Sequence, residues 1–148
     1  MKLRTALAAC VIAFAVAAPA AAQQTTAPTL YKRLGGYDAL AAVTDDFVGR
    51  LAGDPGLSRF FAGHSTDSLK RIRQLVIDQL CFATGGPCVY IGRDTKTTHA
   101  GLGITEKDWE TSVKHLVATL DKFNVPAKEK EEVLTLSSTL KKDIVEKP

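Results

Sequence analysis

The sequence is poor in the residues that most catalytic chemistries need. Its 148 residues include only three histidines and three cysteines. The histidines, His64, His99 and His115, are too scattered for a tetrahedral zinc site. No paired His/Glu constellation suggests a metal-dependent hydrolase. No stretch alternates apolar and polar residues over a useful length, and no segment repeats. Sheet and solenoid architectures are therefore excluded. A strong charge of one sign is also missing: 19 basic residues stand against 16 acidic, a net charge of +3. That balance leaves no electrostatic footprint for nucleic acid.

The one long apolar run lies at the start. Met1-Lys2-Leu3-Arg4 is a short basic head, residues 5–18 are almost uncharged, and Ala20-Ala21-Ala22 precedes Gln23 as a small-residue cleavage site. Residues 1–22 read as a secretory signal peptide, too short and too alanine-rich for a membrane span. Leu7-Ala8-Ala9-Cys10 imitates a lipoprotein box, but the apolar run continues past it, which argues against lipidation. Loss of Lys2 and Arg4 would leave 17 basic residues against 16 acidic, a net charge of +1. Residues 23–29 form a polar leader, and residues 30–148 a single domain. The expectation is export, to the periplasm in a Gram-negative source, as a monomer with no membrane association after cleavage. The cleaved chain keeps Cys81 and Cys88, seven apart across a glycine pair. In an oxidising compartment they either close a small ring or stay as two thiols, with Cys81 buried as a small hydrophobe.

Apolar residues recur at helical spacing through the domain. Leu40, Val43, Phe47 and Leu51 mark one face of a helix that ends near Gly53-Asp54-Pro55. A short helix over residues 57–61 comes next. Ser65, Thr66 and Asp67 offer N-cap side chains to the following helix, whose buried stripe reads Leu69, Ile72, Val76, Leu80 and Ala83. Gly85-Gly86-Pro87 stops it. Residues 94–99 make one short turn of helix, cut off by Gly101 and Gly103. Thr105 is the N-cap of a long helix with Trp109, Val113, Leu116, Leu120 and Phe123 on its apolar face. Asn124-Val125 breaks that helix, and Pro126 opens the last one, whose stripe is Val133, Leu136, Leu140 and Ile144. The fold class is all-α. A domain of this size normally closes its core with side chains. A very short helix between two long ones makes sense if a planar group fills the gap.

Four segments in order carry a family resemblance: Leu-Tyr-Lys-Arg-Leu-Gly-Gly-Tyr-Asp-Ala-Leu from Leu30, Asp-Pro-Gly-Leu-Ser-Arg-Phe-Phe from Asp54, the Gly-Gly-Pro stop, and His-Ala-Gly-Leu-Gly-Ile-Thr from His99. Together they resemble the truncated haemoglobins of group 1, over residues 30 to about 144. The resemblance implies a globin-like 2-over-2 helical sandwich. It implies that His99 is the proximal ligand of a haem iron. No Cys-x-x-Cys-His is present, so the group would be non-covalent haem b. Apolar lining would come from Phe47, Phe60, Phe61, Ile72, Val76, Leu102, Ile104 and Trp109. Lys96 would meet a haem propionate, with Arg73 a weaker candidate.

The distal side departs from the family pattern. Group 1 members usually carry a tyrosine directly after the phenylalanine of the first long helix, and glutamine at one or both distal positions of the next. Here Val48 follows Phe47, and the distal positions fall on Ile72 and Val76. Gln74 or Gln79 would supply a donor only under a shifted register. His64 reads as a loop residue and His115 as a polar-face residue.

The resemblance implies a protein that binds O2, CO or NO, with weak O2 retention. NO dioxygenation would require a partner reductase, and peroxidase-like turnover is the other enzymatic option. The competing reading is a haem-free helical interaction module of globin shape, supported by the missing distal tyrosine and glutamine and opposed by His99 with its flanking glycines.

Overall fold

The computed structural model describes residues 27–147. The expected signal peptide, residues 1–22, and residues 23–26 of the expected leader lie outside that range. Within it, six α-helices run in order: α1 (Leu30–Arg33), α2 (Gly36–Gly53), α3 (Thr66–Ala83), α4 (Thr95–His99), α5 (Glu106–Lys122) and α6 (Ala127–Ile144). A 3-10 turn, Ser58–Phe60, lies between α2 and α3, tighter than the short helix expected there. Among the described residues there is no strand, only an isolated parallel bridge between Thr105 and Lys147. None of the described helices is long and apolar enough to cross a membrane.

The helix boundaries have local causes. Ser65 accepts a hydrogen bond from the Ser68 amide at the start of α3, and Asp94 accepts one from the Thr97 amide at the start of α4. Thr105 and Asp108 form a reciprocal capping box at the start of α5. The end of α3 is a Schellman motif. Gly86 N donates to Cys81 O at 2.8 Å, Gly85 N donates to Phe82 O at 3.1 Å, and Gly85 sits at φ +81°. A Cβ on Gly86 would come within 2.6 Å of both Cys81 Sγ and the Tyr31 ring, so the backbone passes where no side chain fits. The same motif closes α5, with Asn124 at φ 52° and Val125 N donating to Leu120 O. Cys81 and Cys88 are joined by a disulfide, with their Cα atoms 5.7 Å apart.

Helix α2 packs against α3 and α5, α5 against α6, and α4 against α6. Helix α1 is tied to α3 by Tyr31 N donating to Thr84 O, and to α6 by Arg33, which pairs with Glu129 and Glu132. The buried hydrophobic residues are Leu30, Leu40, Leu57, Ile77, Cys81, Ile104 and Leu120. Full burial of Ile77 or Leu120 contributes roughly 2–3 kcal/mol each. Two expected stripes need correction. On α3 the fully buried residues are Ile77 and Cys81, whereas Ile72, Val76 and Leu80 are half-buried and Leu69 and Ala83 are exposed. The helix has two adjacent apolar faces, and the closed core takes the one offset by a residue from the expected stripe. On α5 and α6, Phe123 and Leu136 are exposed rather than buried.

Candidate functional site

Among the described residues, no aromatic side chain belongs to the closed core. Phe47 on α2, Phe60 and Phe61 at the 3-10 turn, Ile72 and Val76 on α3 and Trp109 on α5 are all half-buried. Leu102 is 44% exposed, while Ile104 is buried. Large apolar side chains on α2 and on the elements packed against it thus remain partly open. The fully buried Thr44 lies one turn before Phe47 and Val48 on α2, and its hydroxyl has no hydrogen-bond partner.

His99 closes α4 and is half-buried. Its Nδ1 lies 2.7 Å from the carbonyl oxygen of Thr95. A carbonyl only accepts, so Nδ1 carries the proton and donates, which leaves the Nε2 lone pair free. A carbonyl partner on the far ring nitrogen is the arrangement that orients a metal-ligating histidine. The Thr95 hydroxyl in turn accepts from Gln79 Nε2 on α3 at 3.2 Å. One residue therefore joins α3 to the imidazole-bearing turn through two different atoms.

The loop after His99 is held from the other end of the chain. Gly101 N and Gly103 N donate to the two carboxylate oxygens of Glu146 at 2.6 and 2.5 Å. Both glycines have positive φ, +82° and +64°. The two N–H donors hold the Glu146 carboxyl below its usual range. Glu146 N and Lys147 N both donate to Ile104 O, and Glu106 N donates to Lys147 O.

Arg59 stacks 4.2 Å from the Phe60 ring centroid and pairs with Asp108 at 2.7 Å. That joins the 3-10 turn to the start of α5, beside Trp109. Burial pushes the Asp108 carboxyl up, but bonds from the Thr105 amide, the Thr105 hydroxyl and Arg59 together bring it below the usual range.

Other expected residues fall elsewhere. Lys96 is exposed on α4. Arg73 is committed to Asp45 on α2. Gln74 bonds Tyr37 and Asp78, and Gln79 is held by Thr95, so neither glutamine is free to serve as a gas-ligand donor. His64 is exposed. His115 is not a simple polar-face residue: half-buried, it donates from Nε2 to Asp54 at 2.9 Å and links α5 to the end of α2. Among the described residues no cluster of three or more His, Cys, Asp or Glu could hold a metal ion. Two open surface concavities, of about 680 and 440 Å³, lie along α6, beside Lys141 and Glu132 respectively, and neither is lined by any candidate site residue.

Sequence reasoning overlooked Thr95, Glu146 and the Arg59–Asp108 pair. Glu146 is 45 residues from Gly101, and no local pattern announces a contact of that range.

The family model of bacterial-like globins matches residues 29–146. The group 1 truncated hemoglobin GlbN of Mycolicibacterium paratuberculosis is 32% identical over 78% of this chain and 83% of its own length. That of Nostoc commune is 34% identical over 80% of this chain and 98% of its own. The crystal structure of truncated hemoglobin from Tetrahymena pyriformis, Fe(III) form, superposes with a TM-score of 0.72 at 25% identity, covering 80% of this chain and 98% of that one. The all-helical architecture, the order of the motifs and the match over almost every described residue agree, and the chain belongs to the bacterial-like globin family as a truncated haemoglobin of group 1.

Proposed function

We propose that this globin holds haem b through His99 and binds diatomic gases on an apolar distal side. Membership of the truncated globins implies haem-based gas binding; the finer assignments rest on this chain's own residues. The observation that carries them is the Nδ1 bond from His99 to the Thr95 carbonyl, which leaves Nε2 as a free donor of fixed orientation. Haem held there would supply the iron that binds the gas. The half-buried Phe47, Phe60, Phe61, Ile72, Val76 and Trp109, with Leu102 and Ile104, would cover its faces and exclude water. Transfer of several hundred Å2 of apolar surface from water is worth on the order of ten kcal/mol gross. Lys96, exposed on the same turn as His99, would meet a propionate in solvent.

Val48, Ile72 and Val76 offer no hydrogen-bond donor. A polar ligand such as O2 is then retained weakly, whereas CO and NO are little affected. That favours gas binding or sensing over NO dioxygenation, which needs both retained O2 and a partner reductase. Export belongs to the same reading. The signal-like first 22 residues suggest it, and the disulfide between Cys81 and Cys88 suits an oxidising compartment such as the periplasm.

Ferric and ferrous-CO absorbance spectra of the purified protein test the proposal. A strong Soret band is expected in the wild type and its loss in His99→Ala. A wild-type spectrum empty near 400 nm would instead leave a haem-free helical module.

A further inference from the structure

We propose that Glu146 is a positioning residue for the His99 imidazole, acting through the loop between α4 and α5. The inference rests on the reading of His99 as the iron ligand. Helix α4 is only five residues long, and Ala100, immediately after it, has already left the helical conformation at ψ 131°. A ligand at the end of so short a helix has no rigid rod behind it. The chain continues into Gly101-Leu102-Gly103, two of whose three residues have positive φ and none of whose backbone is held by a strand or helix.

The C-terminal tail supplies the missing constraint. The Glu146 carboxylate takes both glycine N–H groups, one on each oxygen, at 2.6 and 2.5 Å. Charge-assisted bonds of this kind are the strong class, and a two-point grip fixes orientation as well as distance. Just beyond, the Ile104 carbonyl accepts from Glu146 N at 2.9 Å and Lys147 N at 3.2 Å, and Glu106 N donates to Lys147 O at 3.2 Å. The loop is thereby fastened on both sides of Leu102 and Ile104. On the near side, Leu102 N donates to the His99 carbonyl at 3.2 Å, so the fastened segment reaches His99 itself. The imidazole is then held at two places: Thr95 fixes the ring's rotation, and Glu146 fixes the backbone that carries it. Because α6 leads directly into Glu146, the packing of α6 against α4 is transmitted to the ligand at this point.

The test uses the full chain with Glu146→Gln, which keeps the shape and removes the charge and one acceptor. In the haem-loaded ferrous-CO protein, amide exchange at Gly101 and Gly103 is expected to quicken by about tenfold, while Val125, in the Schellman turn after α5, exchanges as before. In the deoxy ferrous protein, the iron–histidine stretching band in resonance Raman is expected to shift and broaden in Glu146→Gln, and further in Glu146→Ala, which keeps no acceptor for either glycine N–H. Unchanged glycine exchange would overturn the grip. Quickened exchange with an unmoved iron–histidine band would make Glu146 a tail anchor only and would equally overturn the proposal. Should the wild type take up no haem, the functional reading fails by itself. The His99 ring 15N shifts of the purified protein then decide the matter: they move in Glu146→Gln if Glu146 positions the ring and stay put if it does not.

Discussion

A single bond sets the chemistry available at His99. With Nδ1 donating to Thr95 O, the ring presents one lone pair in one direction. The proposed distal positions would work by omission. Val48, Ile72 and Val76 cannot donate, and the nearby glutamines are engaged, Gln74 with Tyr37 and Asp78 and Gln79 with Thr95. Introducing a donor should therefore change the gas preference. Val76→Gln, or Val48→Tyr, is expected to slow O2 dissociation by roughly tenfold or more, because a hydrogen bond to a charge-separated ligand is worth about 1.5–3 kcal/mol. CO dissociation should change far less. Flash photolysis and stopped-flow mixing of the ferrous protein measure both, and equal slowing of the two gases would argue against an apolar distal side.

At the scale of elements, the end of α3 is fastened three ways: by the Schellman turn, by the close passage of Gly86 between Cys81 and Tyr31, and by the disulfide to Cys88. The disulfide closes a small loop, and the chain-entropy estimate for a ring of that size is roughly 2–3 kcal/mol. Reduction, or Cys88→Ser, is expected to lower the melting temperature by about 10 °C. Thermal unfolding followed by circular dichroism, with and without reductant, checks this; identical midpoints would show that the loop is already ordered without the bridge. The displaced stripe of α3 belongs to the same scale. Helical periodicity marks both apolar faces of that helix, but only its packing selects Ile77 and Cys81 for the closed core and leaves Ile72 and Val76 partly open.

Across the whole molecule, carboxylates bridge elements that are distant in sequence. Asp46 on α2 is held below the usual carboxylate range by Arg50, by Lys122 on α5 and by Thr119. Asp54 is lowered by His115 and by the Gly56 and Leu57 amides, Asp45 by Arg73, and Glu132 by Arg33. In each case the folded value lies below the unfolded one. The stabilisation is therefore complete above the normal carboxylate range, near pH 4, and is lost as pH falls through the lower folded values. The melting temperature should be flat from pH 7 to about 5 and fall below about 4. Asp46→Asn should lower it at neutral pH and shallow the acid decline, and an acid limb as steep as the wild type's would show that Asp46 takes no part.

The sequence alone determined the helical class and the position of nearly every helix, and it singled out His99 as the residue to propose as iron ligand. These depend on short-range physics: periodicity, capping side chains and glycine stops all act within a few residues. The helix stop at Gly85-Gly86 and the N-cap at Thr105 could be anticipated for that reason. Tertiary structure decided which apolar face of α3 closes the core, that Gln74 and Gln79 are spent elsewhere, that Cys81 and Cys88 are bonded, and that Glu146 grips the loop beside His99. Each of those depends on which groups the packed helices bring within bonding distance, and the local pattern of the chain is silent on that.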